Sequence, residues 1–454
     1  MDTRAGDFQK STPALSCLEA PANLKFERAD WALFRTVEGL QQKAGVPKHK
    51  LTRLVMKELA DNGLDEGGRV RIGELPGGRY FVEDNGPGID GTPAEIARLF
   101  CISRPLVSTK LLRLPTRGAL GNGLRVVAGA VLASGGKLTV ITRNRRIELK
   151  PEFNGTTTVV SATEVEFPTG TRIELSFGPA LPADHQTLHW ARLACQLARG
   201  KVYTGRSSPW WYDAPQFQEL LDASGTRPVR EVIAEFDGCT GATAGMIIAT
   251  AKLNRAISNA ITREQATTLL EAARTFAKPV TAERLGAIGA GAFGDTAYVQ
   301  VTGVASFGAG APLAEVPFLV ESWAQKATGE AAEYGTRLTV CVNRTPITGE
   351  IHASREKRDI DAFGCGLSHT IATTPAGAEF FLALNVITPY MPITSDGKEP
   401  NRAIVRNAQL PNFLSGDAHG RFPSTMRSNS LTTKSRKPYQ RSRSNSSASL
   451  SWAA

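Results

Sequence analysis

The sequence has no C-x-x-C pair; its six cysteines, Cys17, Cys101, Cys195, Cys239, Cys341 and Cys365, lie scattered along the chain. Such spacing excludes a cysteine-ligated zinc site and a disulfide framework, and it leaves free thiols in a reducing compartment as the expectation. Long apolar runs are missing too. The stretch over 126–136 is far short of the ~20 apolar residues that a spanning helix requires. The first residues, MDTRAGDFQK, carry acids and no apolar centre, unlike a secretory signal. The expectation is a cytoplasmic protein with no membrane partner.

What is present can build cores. Of 454 residues, 41% are hydrophobic and 21% charged, which excludes a wholly disordered or collagen-like chain and suggests two to four domains. The net charge of +10 is unevenly placed, since residues 416–454 hold seven basic residues and one acid. Serine-rich and poor in large apolar residues, 414–454 reads as a disordered basic tail. That composition suits a non-specific nucleic-acid-binding arm or a plain solubilising extension.

Hydrophobic patterning predicts a loose leader over 1–23, then helices over 29–44 and 47–65. Strands over 69–75 and 79–84 are joined by Pro76-Gly77-Gly78 as a hairpin. An irregular stretch over 86–123 leads to a small-residue helix over 124–134 and strands over 137–149, 156–167 and 171–177. The first 180 residues therefore read as α+β, helices layered on a mostly antiparallel sheet. A helix over 183–200 and a helical block over 215–293 follow. The last ordered unit reads as α/β: strands over 298–307, 336–343 and 380–388, with helices over 319–326 and 359–374.

Three motifs carry the chemistry. In Glu58-Leu59-Ala60-Asp61-Asn62-Gly63-Leu64-Asp65, Glu58, Asn62 and Asp65 fall on one helical face. Glu58 can polarise a water, and Asn62 offers an oxygen to a hard Mg²⁺ ion. In Asp84-Asn85-Gly86-Pro87-Gly88-Ile89, at a strand end, the glycines allow close backbone approach and Asp84 can accept from an exocyclic amine such as adenine's. In Gly118-Ala119-Leu120-Gly121-Asn122-Gly123-Leu124, glycines before a helix free N–H groups to cradle phosphate. The last is neither a Walker A loop nor a dinucleotide-binding fingerprint.

Their order, E-x-x-x-N-x-x-D, D-x-G-x-G, G-x-x-G-x-G-L and then Gly170-Thr171 opening a strand, resembles the GHKL ATPase superfamily over residues 45–180. That superfamily includes DNA gyrase, MutL mismatch-repair proteins, histidine kinases and the ninety-kilodalton heat-shock chaperones. The resemblance implies a Bergerat-fold α/β sandwich over 24–200 with Mg²⁺ and ATP as ligands. It makes Glu58 the general base and Asn62 the metal ligand, sets Asp84 at the adenine amine, and adds Gly86, Gly88, Ile89, Gly118, Gly121, Asn122, Gly123, Leu124 and Thr171 as nucleotide-binding positions. It also implies a lid over about 99–123.

Beyond residue 200 the chain is most similar to the B subunit of DNA topoisomerase VI. The segment over 262–293 looks like that subunit's helix-two-turn-helix insert, within a linker and helical region over 201–295. Pro317-Phe318-Leu319-Val320-Glu321 and Val342-Asn343-Arg344-Thr345-Pro346-Ile347 look like its transducer motifs, within a transducer-like domain over 296–413. In Ser395-Asp396-Gly397-Lys398-Glu399 the resemblance makes Lys398 a catalytic contact to the γ-phosphate. The implied function is the ATPase subunit of a type IIB topoisomerase-like complex, an ATP-gated homodimeric clamp on duplex DNA working with a separate DNA-cleaving A-type subunit. The alternative is a GHKL ATPase that switches protein partners, chaperone- or MutL-like. Trp210-Trp211-Tyr212 has no counterpart, and His185 and His189, four apart, have no third metal ligand nearby.

Overall fold

Thr36 decides where the first α-helix starts. Its backbone is extended and its side chain accepts from the Gly39 N–H, capping α1 (Val37–Ala44). The helix expected over 29–44 is therefore two pieces, a 3-10 turn Asp30–Arg35 and α1. Only glycine fits at position 39, where a Cβ would lie 2.1 Å from the Leu33 carbonyl oxygen. After a 3-10 turn at Lys48–Lys50, α2 (Leu51–Asp65) buries Leu54, Val55 and Leu59. The computed structural model describes residues 29–66, 68–104, 112–117, 121–308, 311–329, 335–349, 351–356, 359–364, 367–372 and 378–391. The expected leader over 1–23, the tail over 414–454, Gly118 and Lys398 lie outside the described residues.

The first sheet holds β1 (Val70–Leu75), β2 (Arg79–Asp84), β3 (Lys137–Thr142), β4 (Arg145–Pro151), β5 (Thr157–Glu164) and β6 (Thr171–Ser176), in the order β1-β2-β6-β3-β4-β5 with every pair antiparallel. Strand alternation splits its faces. Val82, Val140, Ile147 and Leu175 point to the helices and join Leu40, Leu51, Val55, Met56 and Val127 in one core. Each such fully buried side chain contributes about 1.5–3 kcal/mol. On the opposite face Glu83 pairs with Arg71 and Arg172, while Glu174 pairs with Arg146, Arg172 and Arg79. Among the described residues helices thus pack on this one face, an α+β arrangement compatible with an α/β sandwich. Two further helices belong to this layer, α3 (Pro93–Leu99) and α4 (Gly123–Ser134).

Two expectations need correction here. The single strand over 137–149 is a hairpin: Arg143 and Asn144 both adopt positive φ (46° and 60°), which turns β3 back into β4. The stretch over 86–123 also contains α3, announced by Thr92 in a capping box with Glu95 and by Pro93 in the first turn.

The helix expected over 183–200 is α5 (His189–Gln196), which begins at His189, so His185 and His189 do not share a helix. A helical region follows: α6 (Ala214–Ala223), α7 (Val229–Ala234), α8 (Ala242–Thr250) and α9 (Arg263–Phe276). It has its own core, in which Trp211 and Tyr212 sit against Phe217, Phe236 and Leu270. Tyr212 meets Phe236 edge-on with ring centroids 5.6 Å apart.

After two 3-10 turns, Ala282–Leu285 and Ala290–Phe293, the described residues run as strands. β7 (Ala297–Phe307), β8 (Ala314–Lys326), β9 (Arg337–Val342), β10 (Thr345–Pro346) and β14 (Phe380–Ile387) form a mixed sheet ordered β10-β9-β14-β8-β7, with β14 parallel to β9. β11 (His352–Glu356), β12 (Asp359–Gly364) and β13 (Leu367–Ala372) form a separate antiparallel sheet. The two helices expected in this unit, over 319–326 and 359–374, are thereby corrected within the described residues. Residues 319–326 end β8, which is buried on both faces between β7 and β14 and so loses the alternation that marks a strand. The helix expected over 359–374 is the β12–β13 hairpin. The mixed sheet, the second of the chain, packs on the end of α5, where Leu193 and, just past the helix, Leu197 meet Trp323, Cys341 and Ala383.

Candidate functional site

Because β2, β6 and β3 are neighbours in register, Asp84, Thr171 and Thr142 line up side by side at one end of the sheet. All three fall on the face that meets the helices. Asp84 Oδ1 accepts the Gly86 N–H at 2.9 Å and the Thr171 N–H at 3.3 Å, which fixes the carboxylate plane. Burial pushes its pKa above the ordinary aspartate value, against those two backbone donors; nearby Glu83 adds to the rise. The other oxygen turns towards α2, since a Cβ on Gly63 would lie 3.2 Å from Asp84 Cβ and 3.6 Å from Oδ2.

The glycine turn is locked to the same strands. Thr142 Oγ1 accepts the Ile89 N–H at 2.9 Å and donates to the Gly170 carbonyl at 3.1 Å. Gly170 N–H in turn donates to Gly86 O at 2.9 Å. Gly88 needs its freedom: φ is 76°, and a Cβ would meet Thr142 Oγ1 at 2.8 Å. Ile89 packs on the edge of the core.

The helix motif and the third motif converge. A Cβ on Gly123, the first residue of α4, would lie 2.8 Å from Glu58 Oε2 and 3.7 Å from Asn62 Nδ2. Gly121 has φ 67°, and Asn122 occupies the cap position of α4 with Oδ1 3.5 Å from an Arg125 nitrogen. Leu124, one residue on, packs against the core. So α2 brings Glu58 and Asn62 against Gly123 at the start of α4 and Gly63 against Asp84 at the sheet end, where Thr171, Gly86, Gly88 and Ile89 are tied to the same strands; Gly121, Asn122 and Leu124 flank Gly123. Gly118 and Lys398 are the two candidates outside the described residues.

Patterns of sequence missed what lies behind Glu58. Lys57, fully buried, donates to Glu58 Oε1 at 2.7 Å and to Asp61 Oδ2 at 2.9 Å. Burial alone would lower its pKa, but the Asp61 and Glu58 carboxylates outweigh that and hold it well above the ordinary lysine value. Thr345 Oγ1, in β10 of the second sheet, donates to the same Asp61 Oδ2 at 2.7 Å. The i, i+4 spacing of Lys57 and Asp61 was a readable signal; the arrival of Thr345, 284 residues away, was not. The tryptophan-rich segment also acquires a place, because Arg113 N–H donates to Tyr212 Oη at 2.7 Å and its guanidinium donates to the Trp211 carbonyl and stacks on Tyr212 and Tyr390. Residues just ahead of the glycine motif are thus anchored on the helical region.

Chemically, the arrangement offers a planar acceptor at one end, backbone N–H groups and a helix N-terminus at the other, and a carboxylate and a carboxamide between them. Among the described residues no group of three or more His, Cys, Asp and Glu could hold a metal ion by itself. No helix of the described residues is long and apolar enough to cross a membrane.

No protein-family model matches the chain, and no curated protein matches it. A solved structure described as the crystal structure of the N-terminal domain of a DNA repair protein is similar over 79% of this chain and 95% of that one, at 14% identity and a TM-score of 0.33. At that likeness the comparison carries no weight for fold or function.

Proposed function

We propose that the chain is a GHKL ATPase of the Bergerat fold that binds and hydrolyses Mg²⁺-ATP. One observation supports the reading: Glu58 and Asn62 lie against Gly123 while Gly63, on the same helix, lies against Asp84, so α2 touches both of the other motifs, up to 65 residues away. In this reading a nucleoside triphosphate lies along α2, with its adenine amine on Asp84 and its phosphates near Gly121, Asn122 and Gly123. Glu58 takes the proton of the attacking water. Asn62 would hold magnesium, which when bound supplies charge neutralisation at the phosphates. Lys398 is proposed as the γ-phosphate contact from the second domain.

The DNA-directed part rests on the resemblance of 262–293, 317–321 and 342–347 to the topoisomerase VI B subunit. On that basis the chain is the ATPase subunit of a type IIB topoisomerase-like complex. It dimerises on ATP, encloses duplex DNA with help from its basic tail, and works with an A-type cleavage subunit. The deciding experiment compares the parental chain with Glu58→Gln. The parent binds and hydrolyses Mg²⁺-ATP. The variant keeps binding and loses about 10²–10⁴-fold in hydrolysis. Unchanged hydrolysis in Glu58→Gln ends the assignment of this pocket.

A further inference from the structure

The charges behind Glu58 are placed where a fold gains little from them. Lys57 has no exposed surface, Asp61 is 1% exposed and Glu58 7%. Burying three ionised groups is costly unless geometry and hydrogen bonds offset it, and well-packed apolar side chains of the same volume serve stability as well or better. The contacts of these three charged groups form a line: Thr345 Oγ1 to Asp61 Oδ2, Asp61 Oδ2 to Lys57 Nζ, and Lys57 Nζ to Glu58 Oε1, at 2.7, 2.9 and 2.7 Å. The far end of the line lies in the second sheet, and the near end is the base.

From this we infer that Lys57 is a positioning residue for Glu58, and that Thr345 links the seating of the second domain to it through Asp61. The inference rests on the ATPase reading above. A carboxylate held by a cation on Oε1 presents Oε2 in one direction, and that direction is the start of α4, as the position of Gly123 requires. Lys57 itself is long and flexible, so its nitrogen stays on Oε1 only while Asp61 holds it from the other side. Asp61 is shared with the second domain, whose hydroxyl at Thr345 orients Oδ2. Its second oxygen, Oδ1, accepts no hydrogen bond among the described residues and faces Arg117 Nε at 3.8 Å. Arg117 Nε is also 3.4 Å from the Arg344 carbonyl, next to Thr345, so the glycine motif and the second domain meet at this carboxylate.

The turn bearing Thr345 is held rigidly enough to act as a reference point. Asn343 and Arg344 adopt positive φ (50° and 66°) between β9 and β10, and Arg344 N–H donates to Asn385 Oδ1 at 3.0 Å on β14. The Arg344 guanidinium donates to the carbonyls of Lys201 and Gly286 in the segments that lead into and out of the helical region. A shift of the second sheet relative to α2 therefore moves the Thr345 hydroxyl off Asp61, and the restraint on Lys57 and Glu58 loosens with it. Hydrolysis is coupled in this way to docking of the two domains through the base.

The test uses the full chain and three variants, Thr345→Val, Lys57→Met and Lys57→Arg. Thermal melting shows which of them fold, binding of a non-hydrolysable ATP analogue gives affinity, and steady-state hydrolysis gives kcat. Thr345→Val keeps the side-chain shape and removes only the donor. It is expected to lower kcat about 10-fold while analogue affinity stays within about twofold. Lys57→Met is expected to lower kcat about 10²-fold, with partial recovery in Lys57→Arg. In a Glu58→Gln background Thr345→Val is expected to change the residual rate no further, because its effect acts through the base. If Lys57→Met does not fold, Thr345→Val decides alone. A folded Thr345→Val with parental kcat overturns the inference, as does an equal further loss in the Glu58→Gln background. A parental chain that neither binds nor hydrolyses ATP overturns the ATPase reading itself, which is a separate outcome.

Discussion

Replacing Gly123 with alanine separates the stability of α4 from the chemistry beside it. Gly123 has ordinary helical backbone at the first position of α4, so alanine costs no backbone strain there. The new Cβ, however, would stand 2.8 Å from Glu58 Oε2 and 3.5 Å from Glu58 Cβ. The oxygen must move by roughly half an ångström to reach ordinary van der Waals contact. It cannot swing away freely, because Lys57 Nζ holds the other oxygen at 2.7 Å and the residue is 7% exposed. A displacement of 1 Å at a catalytic group costs about 10²-fold, so about 10- to 10²-fold in kcat is expected here, or about 1.4–2.7 kcal/mol of barrier. Melting temperature, analogue affinity and steady-state hydrolysis measured on the same preparation check this. Gly123→Ala should fold with a melting loss worth no more than about 1–3 kcal/mol, bind nucleotide within a few-fold and hydrolyse it slowly. Parental hydrolysis in a variant of unchanged stability would refute the placement of Glu58 against α4.

Asp84→Asn should weaken nucleotide binding, since the amide can present its NH₂ to the adenine amine, donor against donor. Because burial raises the Asp84 pKa and the amine needs the ionised form, parental affinity should fall as pH drops into that raised range, whereas Asp84→Asn should stay weak and flat; calorimetric titration at several pH values reads this. Lys57→Met leaves Asp61 and Glu58 buried without their cation and should cost about 3–5 kcal/mol in urea unfolding at neutral pH. Lys57 is raised in the folded state, so its contribution is fully present below the ordinary lysine value of about 10.4 and is lost as pH rises beyond it, an alkaline decline that Lys57→Met should not show. Gly129→Ala would bring a Cβ to 2.5 Å from the Phe34 carbonyl oxygen, so about 1–3 kcal/mol of destabilisation is expected by the same unfolding assay, with the pocket residues untouched.

Local pattern was enough for much of this protein. Glu58 and Asn62 share a helical face because 3.6 residues make a turn, and α2 could be read from its apolar spacing alone. The β1–β2 hairpin, the glycines before α4 and the strand opening at Thr171 are equally local, each set by turn chemistry or alternation. Locality also explains the errors. β8 is buried on both faces, which erases the period of two, and the β3–β4 turn uses Arg143 and Asn144, which carry no glycine signal. Tertiary structure decided what distance along the chain conceals: that Asp84 faces Gly63 across the layers, that Glu58 lies against Gly123, and that Thr345 reaches Asp61. Burial and hydrogen bonding between segments hundreds of residues apart depend on how layers stack. A motif names the groups that can do chemistry, while packing alone sets which oxygen of Glu58 is held and which is presented.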